Sequence, residues 1–560
     1  MRTAAAELVG ILYDEGVSHL FVNPGMHTAP LRQALAEASA AAMPHPTPVL
    51  CVHEHVALCA AHGHHLVGGG AQAVMVHVES GRLSVEGAIR NAQRDQVPVT
   101  IFCGGAAECR NLLTDSAGVP GLGEPVLLST ASKWAVDLSG EGGDLSTLIR
   151  RAFQVARAAP AGPTHVALPV ELLRQAVPDS ARRLPPPRSP SPDLAALDEM
   201  AELLASAEFP VIMAGRVGRH ESSVHQLARL AETLGAPVID YRNHVNLPPG
   251  HPLNAAMEGR ELIAKSDAIL LLDADISCVP GLGPLPKTAW LLQIDTDCLK
   301  ADLPDWVCPV EIAVTADTQL ALPPLVTLIN DRLTTRQRPI QERRNSVERD
   351  LRHARAAWRD RGSSNHPGDL ADAVMAELQR WLPEDAVIVE EATATAGATL
   401  RQLERPAGHL FRCIVRSPGW SLGAAMGAHL AKPNQTVVAI CDDLAFGSAL
   451  PAAAFWSAHR GSAPFLTVVL DQTGHRPARP SGEPPVDVVA VARASGAEAA
   501  VVSSAGEVAE TVERLLATTR DGVCAVLDVR LPVPLTEEYS RPSRGKRNPL
   551  TSRSTATKRQ

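Results

Sequence analysis

Short apolar segments alternate with amphipathic, helix-like segments along most of the chain. The first apolar segment follows an amphipathic stretch from Ala4 to Glu15 and ends in the turn Asn23-Pro-Gly25. Continuous apolar runs separated by helical stretches are typical of parallel strands that helices cover on both faces. The pattern therefore predicts an α/β architecture with strands at His19–Val22, Ala73–Val78, Val97–Cys103, Thr164–Leu168, Pro210–Ala214, Pro237–Asp240, Ala268–Leu272, Trp290–Ile294, Val387–Val389, Thr436–Cys441, Phe465–Leu470 and Val523–Asp528.

Two interruptions divide this alternation into three blocks. Residues 179–193 contain a proline-rich stretch that can continue neither helix nor sheet, and residues 333–365 form a charged connector that reads as helical. A chain of 560 residues is too long for one core, because domains average roughly 150 residues. We therefore predict three doubly wound, mostly parallel-sheet α/β domains at 1–178, 194–332 and 366–535, followed by a basic, disordered tail at 536–560.

Composition narrows the class of protein. Hydrophobic residues make up 45% and charged residues 20%, as in ordinary globular proteins, and the net charge of −9 argues against a nucleic-acid partner. The chain has neither a leader-like start nor an apolar run of ~18 residues, so we expect no membrane partner and a cytoplasmic location. Ten cysteines without a C-x-x-C pair suggest buried free thiols in a reducing compartment.

Motifs in all three blocks carry a family resemblance. The first block contains Phe21-Val-Asn-Pro-Gly25 and Val52-His-Glu-His-Val-Ala57, and the second contains Leu247-Pro-Pro-Gly-His-Pro-Leu-Asn254. The third contains Gly419-Trp-Ser-Leu-Gly-Ala-Ala-Met-Gly427 and Val468-Val-Leu-Asp-Gln-Thr-Gly474. In this order the motifs resemble the thiamine-diphosphate (ThDP) 2-oxo-acid decarboxylase and acetolactate-synthase superfamily. The resemblance makes the three domains pyrimidine-binding, central and diphosphate-binding.

Glu54 lies between two histidines at the start of a predicted helix. In the family, a buried carboxylate at this position bonds the cofactor's aminopyrimidine ring and favours the imino tautomer, which removes the C2 proton. The resemblance therefore assigns Glu54 to both catalysis and cofactor binding. Without the flanking motifs, a glutamate that complements the helix dipole is the simpler interpretation.

Two further histidines are candidate acid–base groups. His77 ends a predicted strand, where benzoylformate-decarboxylase-like members place a catalytic histidine, and His251 falls at the second catalytic histidine of that group. Imidazoles titrate near neutrality and could shuttle protons during decarboxylation and aldehyde release. Structural histidines at these positions are the alternative. A cluster of further histidines consists of His53, His55, His62, His64 and His65. It lacks an obvious metal-ligand set and indicates a polar, partly buried helix.

The family's diphosphate anchor is altered. A Gly-Asp-Gly turn and a distant Asn-Asn pair usually hold Mg²⁺ against the diphosphate. This chain has Asp442-Asp-Leu444 and Asp471-Gln472 instead, so the resemblance implies metal ligation by Asp443, Gln472 and the Gly474 carbonyl. The positions expected to face the cofactor are Ser417, Gly419, Asp442, Leu444 and Gly474.

Other departures accompany the altered turn. Met26 replaces a serine, and Pro418 takes the place of the bulky apolar residue that props the cofactor. The glycines lost at Asp442 and Leu444 would permit close phosphate approach, which larger side chains resist. These changes predict weak ThDP binding or none.

Three functions follow from the resemblance. The first is a ThDP/Mg²⁺-dependent non-oxidative decarboxylase or carboligase acting on a small-molecule 2-oxo acid. The second is an acetolactate-synthase-like carboligase, and the third is a catalytically silent homologue with a degenerate cofactor site. FAD is not supported, because Gly215-Arg-Val-Gly218 lacks the full dinucleotide spacing. The family builds its site between chains, so we expect a homodimer or homotetramer.

Overall fold

The computed structural model describes residues 2–77, 79–105, 132–138, 144–178, 182–240, 244–255, 259–275, 285–301, 309–333, 337–391, 396–413, 417–472 and 486–531. Side chains are described in the same ranges except at 79–83, 104–105, 337 and 396. The strands are β1 Arg2–Thr3, β2 His19–Val22, β3 Thr47–Leu50, β4 Gln72–Val76, β5 Val99–Gly105, β6 Trp134–Asp137, β7 Thr164–Pro169, β8 Ala176–Val177, β9 Pro210–Ala214, β10 Val238–Asp240, β11 Ala268–Leu272, β12 Trp290–Asp295, β13 Ile312–Thr315, β14 Val387–Glu390, β15 Leu410–Arg412, β16 Val437–Asp442, β17 Leu466–Asp471, β18 Glu498–Val502 and β19 Ala525–Arg530.

Helices separate most of these strands. They are α1 Ala4–Asp14, α2 Ala29–Ala40, α3 Glu54–Gly68, α4 Glu79–Arg94, α5 Leu145–Arg157, α6 Val170–Leu173, α7 Leu194–Ser206, α8 Glu221–Leu234, α9 Gly259–Lys265, α10 Thr318–Arg332, α11 Gln337–Gly362, α12 Leu370–Trp381, α13 Ala396–Gln402, α14 Ser421–Ala431, α15 Asp443–Ser448, α16 Pro451–Arg460, α17 Val488–Ala494 and α18 Val508–Arg520. Short 3₁₀ helices lie at Met26–Thr28, Val217–Arg219, Pro367–Asp369 and Ala505–Glu507.

The strands form three parallel sheets, as the alternation predicted. Their strand orders are β3-β2-β4-β5-β7-β6, β10-β9-β11-β12-β13 and β15-β14-β16-β17-β19-β18. Every described pairing within the three sheets is parallel, and only the short β1–β8 pair is antiparallel. Among the described residues, no helix combines the length and apolarity that a bilayer crossing requires.

Several predicted boundaries differ from the observed ones. The strand predicted from Ala73 runs instead from Gln72 to Val76, and the strand predicted from Val97 begins two residues later. Residues 182–193 form neither helix nor strand, as the proline-rich sequence predicted. The charged connector contains α11, as its helical pattern predicted. The predicted tail at 536–560 lies outside the described residues.

A helix of the first domain packs directly against a helix of the third. Glycines make the approach of α3 and α14 close: a Cβ on Gly63 would overlap the Ala424 carbonyl, and one on Gly427 would overlap the Ala60 carbonyl. At Gly423 a Cβ would lie 2.6 Å from the Cys59 side chain. The two helices therefore share one apolar core that joins the first and third sheets.

The end of α4 connects this core to the central domain. The Asp95 carboxylate lies 3.0 Å from His62 Nε2 on α3, and both side chains are buried. Arg94 Nη2 lies 3.2 Å from Asp275 Oδ2, and Arg219 Nη1 donates to Gln96 Oε1 at 3.1 Å. The consecutive residues Arg94, Asp95 and Gln96 therefore contact both α3 and the central domain.

Stability should fall in mild acid because His244 is buried between the central and third domains. Its ring stands edge-on to Phe411, with centroids 5.5 Å apart, and burial lowers the pKa of His244 to about 3. The unfolded chain binds this proton near its ordinary pKa of 6.5, so stability is lost as pH falls below that value. Between pH 6.5 and 5 we expect this residue alone to cost about 1–2 kcal/mol of unfolding free energy.

The variant His244→Phe isolates this contribution. Phenylalanine keeps a ring against Phe411 but cannot take up a proton. Urea denaturation at pH 6.5 and pH 5 should therefore show a smaller acid loss in the variant than in the wild type. Equal acid losses in both proteins would contradict the assignment to His244.

Candidate active site

The carboxyl ends of three neighbouring strands meet at one edge of the first sheet. There β3 leads to Glu54, β2 leads to the turn at Asn23, and β4 leads to His77. Asn23 fixes the edge, because its backbone N–H donates to Met75 O at 2.8 Å and its side chain donates to Cys51 O at 3.2 Å. Ligand sites of open parallel sheets occur at such edges.

Glu54 occupies the first position of α3, where its charge complements the helix dipole. The preceding residue caps the helix, since His53 Nδ1 accepts a hydrogen bond from the His55 N–H at 3.1 Å. That nitrogen therefore presents a lone pair, and its 3.8 Å separation from Glu54 Oε2 is not a hydrogen bond. The Glu54 side chain is 15% exposed, so it is largely enclosed yet reachable from the edge.

His77 is held between two parts of the loop that follows β2. A Cβ on Gly25 would overlap the His77 ring, so only glycine permits this approach. On another side, the rings of His27 and His77 have centroids 5.0 Å apart and an interplanar angle of 45°. His77 Nδ1 is buried and accepts or donates no hydrogen bond within the described residues.

The turn before α14 is organised by a buried carboxylate that we had not predicted. Glu391, directly after β14, accepts hydrogen bonds from the Gly419 and Ser421 N–H groups at 2.5 and 2.7 Å. Burial raises the pKa of Glu391, and these backbone bonds oppose the rise. Because the N-cap residue Trp420 makes no side-chain cap, Glu391 supplies the cap from another element.

Gly419 lies at the junction of the first and third domains. Its φ of +104° favours glycine, and a Cβ there would overlap the Ser448 carbonyl at the end of α15. Its carbonyl accepts from His55 Nε2 at 3.0 Å, one residue after Glu54. Burial lowers the pKa of His55, although this bond partly offsets the effect. One chain therefore brings the start of α3, the Gly419 turn and α15 together.

Ser417, predicted to face a cofactor, is bound to α4 of its own chain. Its carbonyl accepts from Asn91 Nδ2 at 2.9 Å, and its N–H donates to Asn91 Oδ1 at 3.4 Å. A Cβ on Gly87 would overlap the Ser417 hydroxyl. Both backbone groups of Ser417 are therefore engaged between domains, and its assignment to the cofactor stays a prediction.

Acidic and amide side chains follow two neighbouring strands of the third sheet. Asp442 ends β16 and caps α15, accepting from the Ala445 N–H at 2.8 Å. Asp443 is 2% exposed, whereas Leu444 is 53% exposed. Gln472 follows β17, the strand paired with β16, and Gly474 lies outside the described residues.

The donor chemistry at this edge fits a magnesium–diphosphate group. Carboxylate and amide oxygens suit a hard cation, and Mg²⁺ is usually bound by one or two carboxylates together with phosphate and water oxygens. Within the described residues, no group of three or more His, Cys, Asp or Glu side chains is arranged to hold a metal by itself. The turn fits less well, because Asp442 adds a negative charge and Leu444 adds bulk where the family has glycines.

His251 lies in the central domain, and both of its ring nitrogens face that domain. Nδ1 accepts from the Leu253 N–H at 3.2 Å, and Nε2 lies 3.6 Å from Glu232 Oε1. Arg355 donates to the His251 carbonyl at 2.6 Å. The described contacts do not bring His251 to Glu54 or His77, and its catalytic assignment stays a prediction.

Ion pairs fill the described part of the carboxyl edge of the central sheet. Lys300 Nζ lies 2.9 Å from Asp275 Oδ1, and Arg216 Nη1 lies 3.5 Å from Asp275 Oδ2. Burial would raise the pKa of Asp275, but Arg216, Lys300 and Arg94 together lower it to about 2. These cations neutralise the protein's own carboxylates, so they offer no argument for a bound dinucleotide.

Sequence reasoning missed Glu391, Asn91 and His27. A carboxylate directly after a short apolar strand could have drawn attention to Glu391, because such positions lie at the ligand-binding edge. Asn91 and His27 have no comparable local signal. Their importance comes from contacts with Ser417 and His77, which are distant in the sequence.

Comparisons with known proteins agree with the motif order. Family models described as the N-terminal, central and C-terminal domains of thiamine pyrophosphate enzymes match residues 2–112, 197–325 and 392–529. Benzoylformate decarboxylase of Pseudomonas aeruginosa is 26% identical, over 93% of this chain and 98% of that protein. Sulfoacetaldehyde acetyltransferase of Roseovarius nubinhibens is 24% identical over 68% of this chain and 69% of that protein.

A solved structure has the same fold. It is the ThDP-dependent 4-hydroxybenzoylformate decarboxylase of Rhodococcus jostii, which superposes with a TM-score of 0.74 at 22% identity. The alignment covers 94% of this chain and 99% of that chain. The shared architecture therefore extends over all three sheets.

Proposed function

Because the chain belongs to the thiamine pyrophosphate enzyme family, we propose that it is a ThDP/Mg²⁺-dependent decarboxylase or carboligase acting on a 2-oxo acid. The family consists of lyases and transferases, and the relatives described above include a decarboxylase and an acetyltransferase. His77 supports the benzoylformate-decarboxylase-like assignment over the acetolactate-synthase-like one, since synthases usually have no histidine there. A catalytically silent homologue remains the alternative from a different functional class.

One observation carries the proposal: Glu54 and His77 lie at the same carboxyl edge of the first sheet. A largely enclosed carboxylate and a packed imidazole at a ligand-binding edge are suited to proton transfer. The packing of α3 on α14 adds support, because it sets Glu54 one residue from the contact between His55 and Gly419.

Bound ThDP would supply the electron-accepting thiazolium that decarboxylation of a 2-oxo acid requires. Glu54 would hold a proton at its carboxylate and exchange it with the aminopyrimidine ring. His77 would donate or accept a proton at its imidazole near the substrate. Asp443 and Gln472 would hold Mg²⁺ through oxygen atoms, with the Gly474 carbonyl as a third ligand.

We also propose a homodimer or homotetramer in which Glu54 approaches the Asp443–Gln472 segment of another chain. Exposed apolar side chains near these elements support an interface: Val52 is 43%, Leu444 53% and Trp456 44% exposed. Sedimentation velocity at micromolar concentration measures the oligomeric state, and a monomer alone, with or without cofactor, would count against the proposed assembly. The contact between α3 and α14 lies within one chain and is a separate feature of the fold.

Titration with ThDP and Mg²⁺ by calorimetry, followed by a panel of 2-oxo acids, tests the proposed function. Binding together with release of CO₂ and an aldehyde would support a decarboxylase. Acyl transfer to an acceptor would support the carboligase form. Binding without turnover on any 2-oxo acid, or no binding at all, would favour the silent homologue.

ThDP affinity should be weak and depend steeply on Mg²⁺, because without the metal two carboxylates face the diphosphate. Replacing Asp442 and Leu444 together by glycine should tighten binding by removing one charge and one apolar side chain. The lost cap of α15 costs little, since glycine is itself an acceptable N-cap residue. Calorimetry at two Mg²⁺ concentrations measures the change.

Asp443→Ala is the opposing variant and should abolish ThDP binding, because it removes the buried metal ligand. Asp487→Ala is the control, since that aspartate lies in the same domain, where it caps a helix, and is not a proposed ligand. If the double glycine variant bound ThDP no better than the wild type, the altered turn would not be the cause of weak affinity.

A further inference from the structure

We infer that His27, and not His251, is the second imidazole of the acid–base pair formed with His77. His27 lies on the 3₁₀ helix Met26–Thr28, in the loop that follows β2. The inference rests on the proposed function, since it assigns the groups that move protons in the same site. The motif pattern does not point to this residue.

The contacts of His27 are with His77 itself. His27 Nδ1 lies 3.2 Å from the His77 carbonyl oxygen, and the two rings have centroids 5.0 Å apart. Gly25 approaches the His77 ring as well, so a single short loop encloses that ring from two directions. Both residues are half-buried, so each is partly accessible to a small molecule.

The hydrogen bond fixes the proton on the His27 ring. A carbonyl oxygen only accepts, so His27 Nδ1 must be the protonated nitrogen. In the neutral ring the lone pair is then on Nε2, which is the nitrogen able to take up and release a proton. His27 thus combines a hydrogen bond to the His77 backbone with an Nε2 lone pair that is suited to proton transfer.

The polar groups of His251 are engaged in other contacts, away from His77. Its Nδ1 accepts from a backbone N–H, which leaves the proton on Nε2, and that nitrogen faces Glu232. Its carbonyl is bound by Arg355. Each polar group of this residue therefore stabilises the central-domain loop.

A pair of imidazoles suits the proton balance of the reaction. Conversion of a 2-oxo acid anion to an aldehyde and CO₂ breaks one carbon–carbon bond and consumes one proton. The electron pair of the broken bond ends in the new C–H bond of the aldehyde. A second imidazole beside His77 allows one ring to deliver this proton and the other to replace it from water.

Kinetics of four variants test the inference. His27→Ala and His77→Ala should each lower kcat by roughly 10²–10⁴-fold, the range for one positioned acid–base group. KM should change less than about threefold, because neither ring anchors the substrate. His27→Asn retains an N–H donor for the His77 carbonyl but has no titrating nitrogen, so it should remain as slow as His27→Ala. His45→Ala, which changes a partly exposed histidine of the same domain outside the proposed site, serves as the control with unchanged kinetics.

Imidazole ¹⁵N NMR of the cofactor-free protein provides a readout that does not depend on activity. In histidine-labelled protein at pH 8, the resonances lost in His27→Ala should show the proton on Nδ1. A proton on Nε2 with a bare Nδ1 would remove the hydrogen bond and overturn the inference. Recovery of full kcat in His27→Asn would also overturn it, because a positioning contact alone would then suffice.

The outcomes separate this inference from the function on which it rests. An active wild type with unchanged kinetics in His27→Ala would overturn the inference alone. The same result together with a large loss in His251→Ala would restore His251 as the second imidazole. A wild type that turns over no 2-oxo acid would overturn the proposed function, and the acid–base role of His27 with it.

Discussion

Glu54→Gln should lower turnover by roughly 10²–10⁴-fold while leaving ThDP affinity within a few-fold of the wild type. Glutamine has the same shape and retains hydrogen-bonding atoms, but it cannot take up or release a proton. The proposed diphosphate anchor, Asp443 and Gln472, lies on other elements and should stay intact. Calorimetry gives the affinity, and CO₂ release from a 2-oxo acid gives the turnover.

A matched substitution separates a lost proton relay from a general loss of charge. Glu37→Gln removes an exposed carboxylate from α2 of the same domain and should leave both measurements unchanged. If Glu54→Gln turned over substrate within threefold of the wild type, the carboxylate would only complement the dipole of α3. That was the simpler interpretation of its position in the sequence.

Gly427→Ala should destabilise the protein by at least about 2 kcal/mol, although alanine is the better helix former by roughly 1 kcal/mol. The added Cβ would overlap the Ala60 carbonyl on α3. A backbone oxygen cannot move away by changing rotamer, so α3 and α14 would have to separate. Separation would loosen the apolar core that both helices share.

Gly250→Ala is the control for this effect. A Cβ at Gly250 would meet no atom within 4 Å, so its stability should stay within about 0.5 kcal/mol of the wild type. Urea denaturation of the two variants gives the comparison. A Gly427→Ala protein as stable as the wild type would contradict the close approach of the two helices.

The central strands could be predicted from the sequence, whereas most strands at the sheet edges could not. Strands such as Ala268–Leu272 are buried on both faces and are therefore continuous apolar runs. Edge strands are only partly covered, and their burial is irregular. Within the three parallel sheets, the missed strands are β3, β6, β13, β15 and β18, each at the edge of its sheet.

The candidate site, like the fold, could be predicted only in part from the sequence. Glu54 and His77 follow strands in recognisable motifs, so their places could be predicted. Glu391 and His27 contact residues far along the chain, and spacing alone does not reveal such contacts. Gly63 and Gly427 each appeared within ordinary helical sequence, and only the packing of α3 against α14 explains why a side chain is excluded at both positions.

The contact between α3 and α14 also has a consequence for biosynthesis. The two helices are separated by more than half the chain. The apolar face of α3 therefore cannot pack against α14 until the ribosome has synthesised the intervening residues. At ~5–20 residues per second this interval lasts roughly tens of seconds. The nascent first domain therefore presents an uncovered apolar surface during that time, and the third domain completes the core of the first.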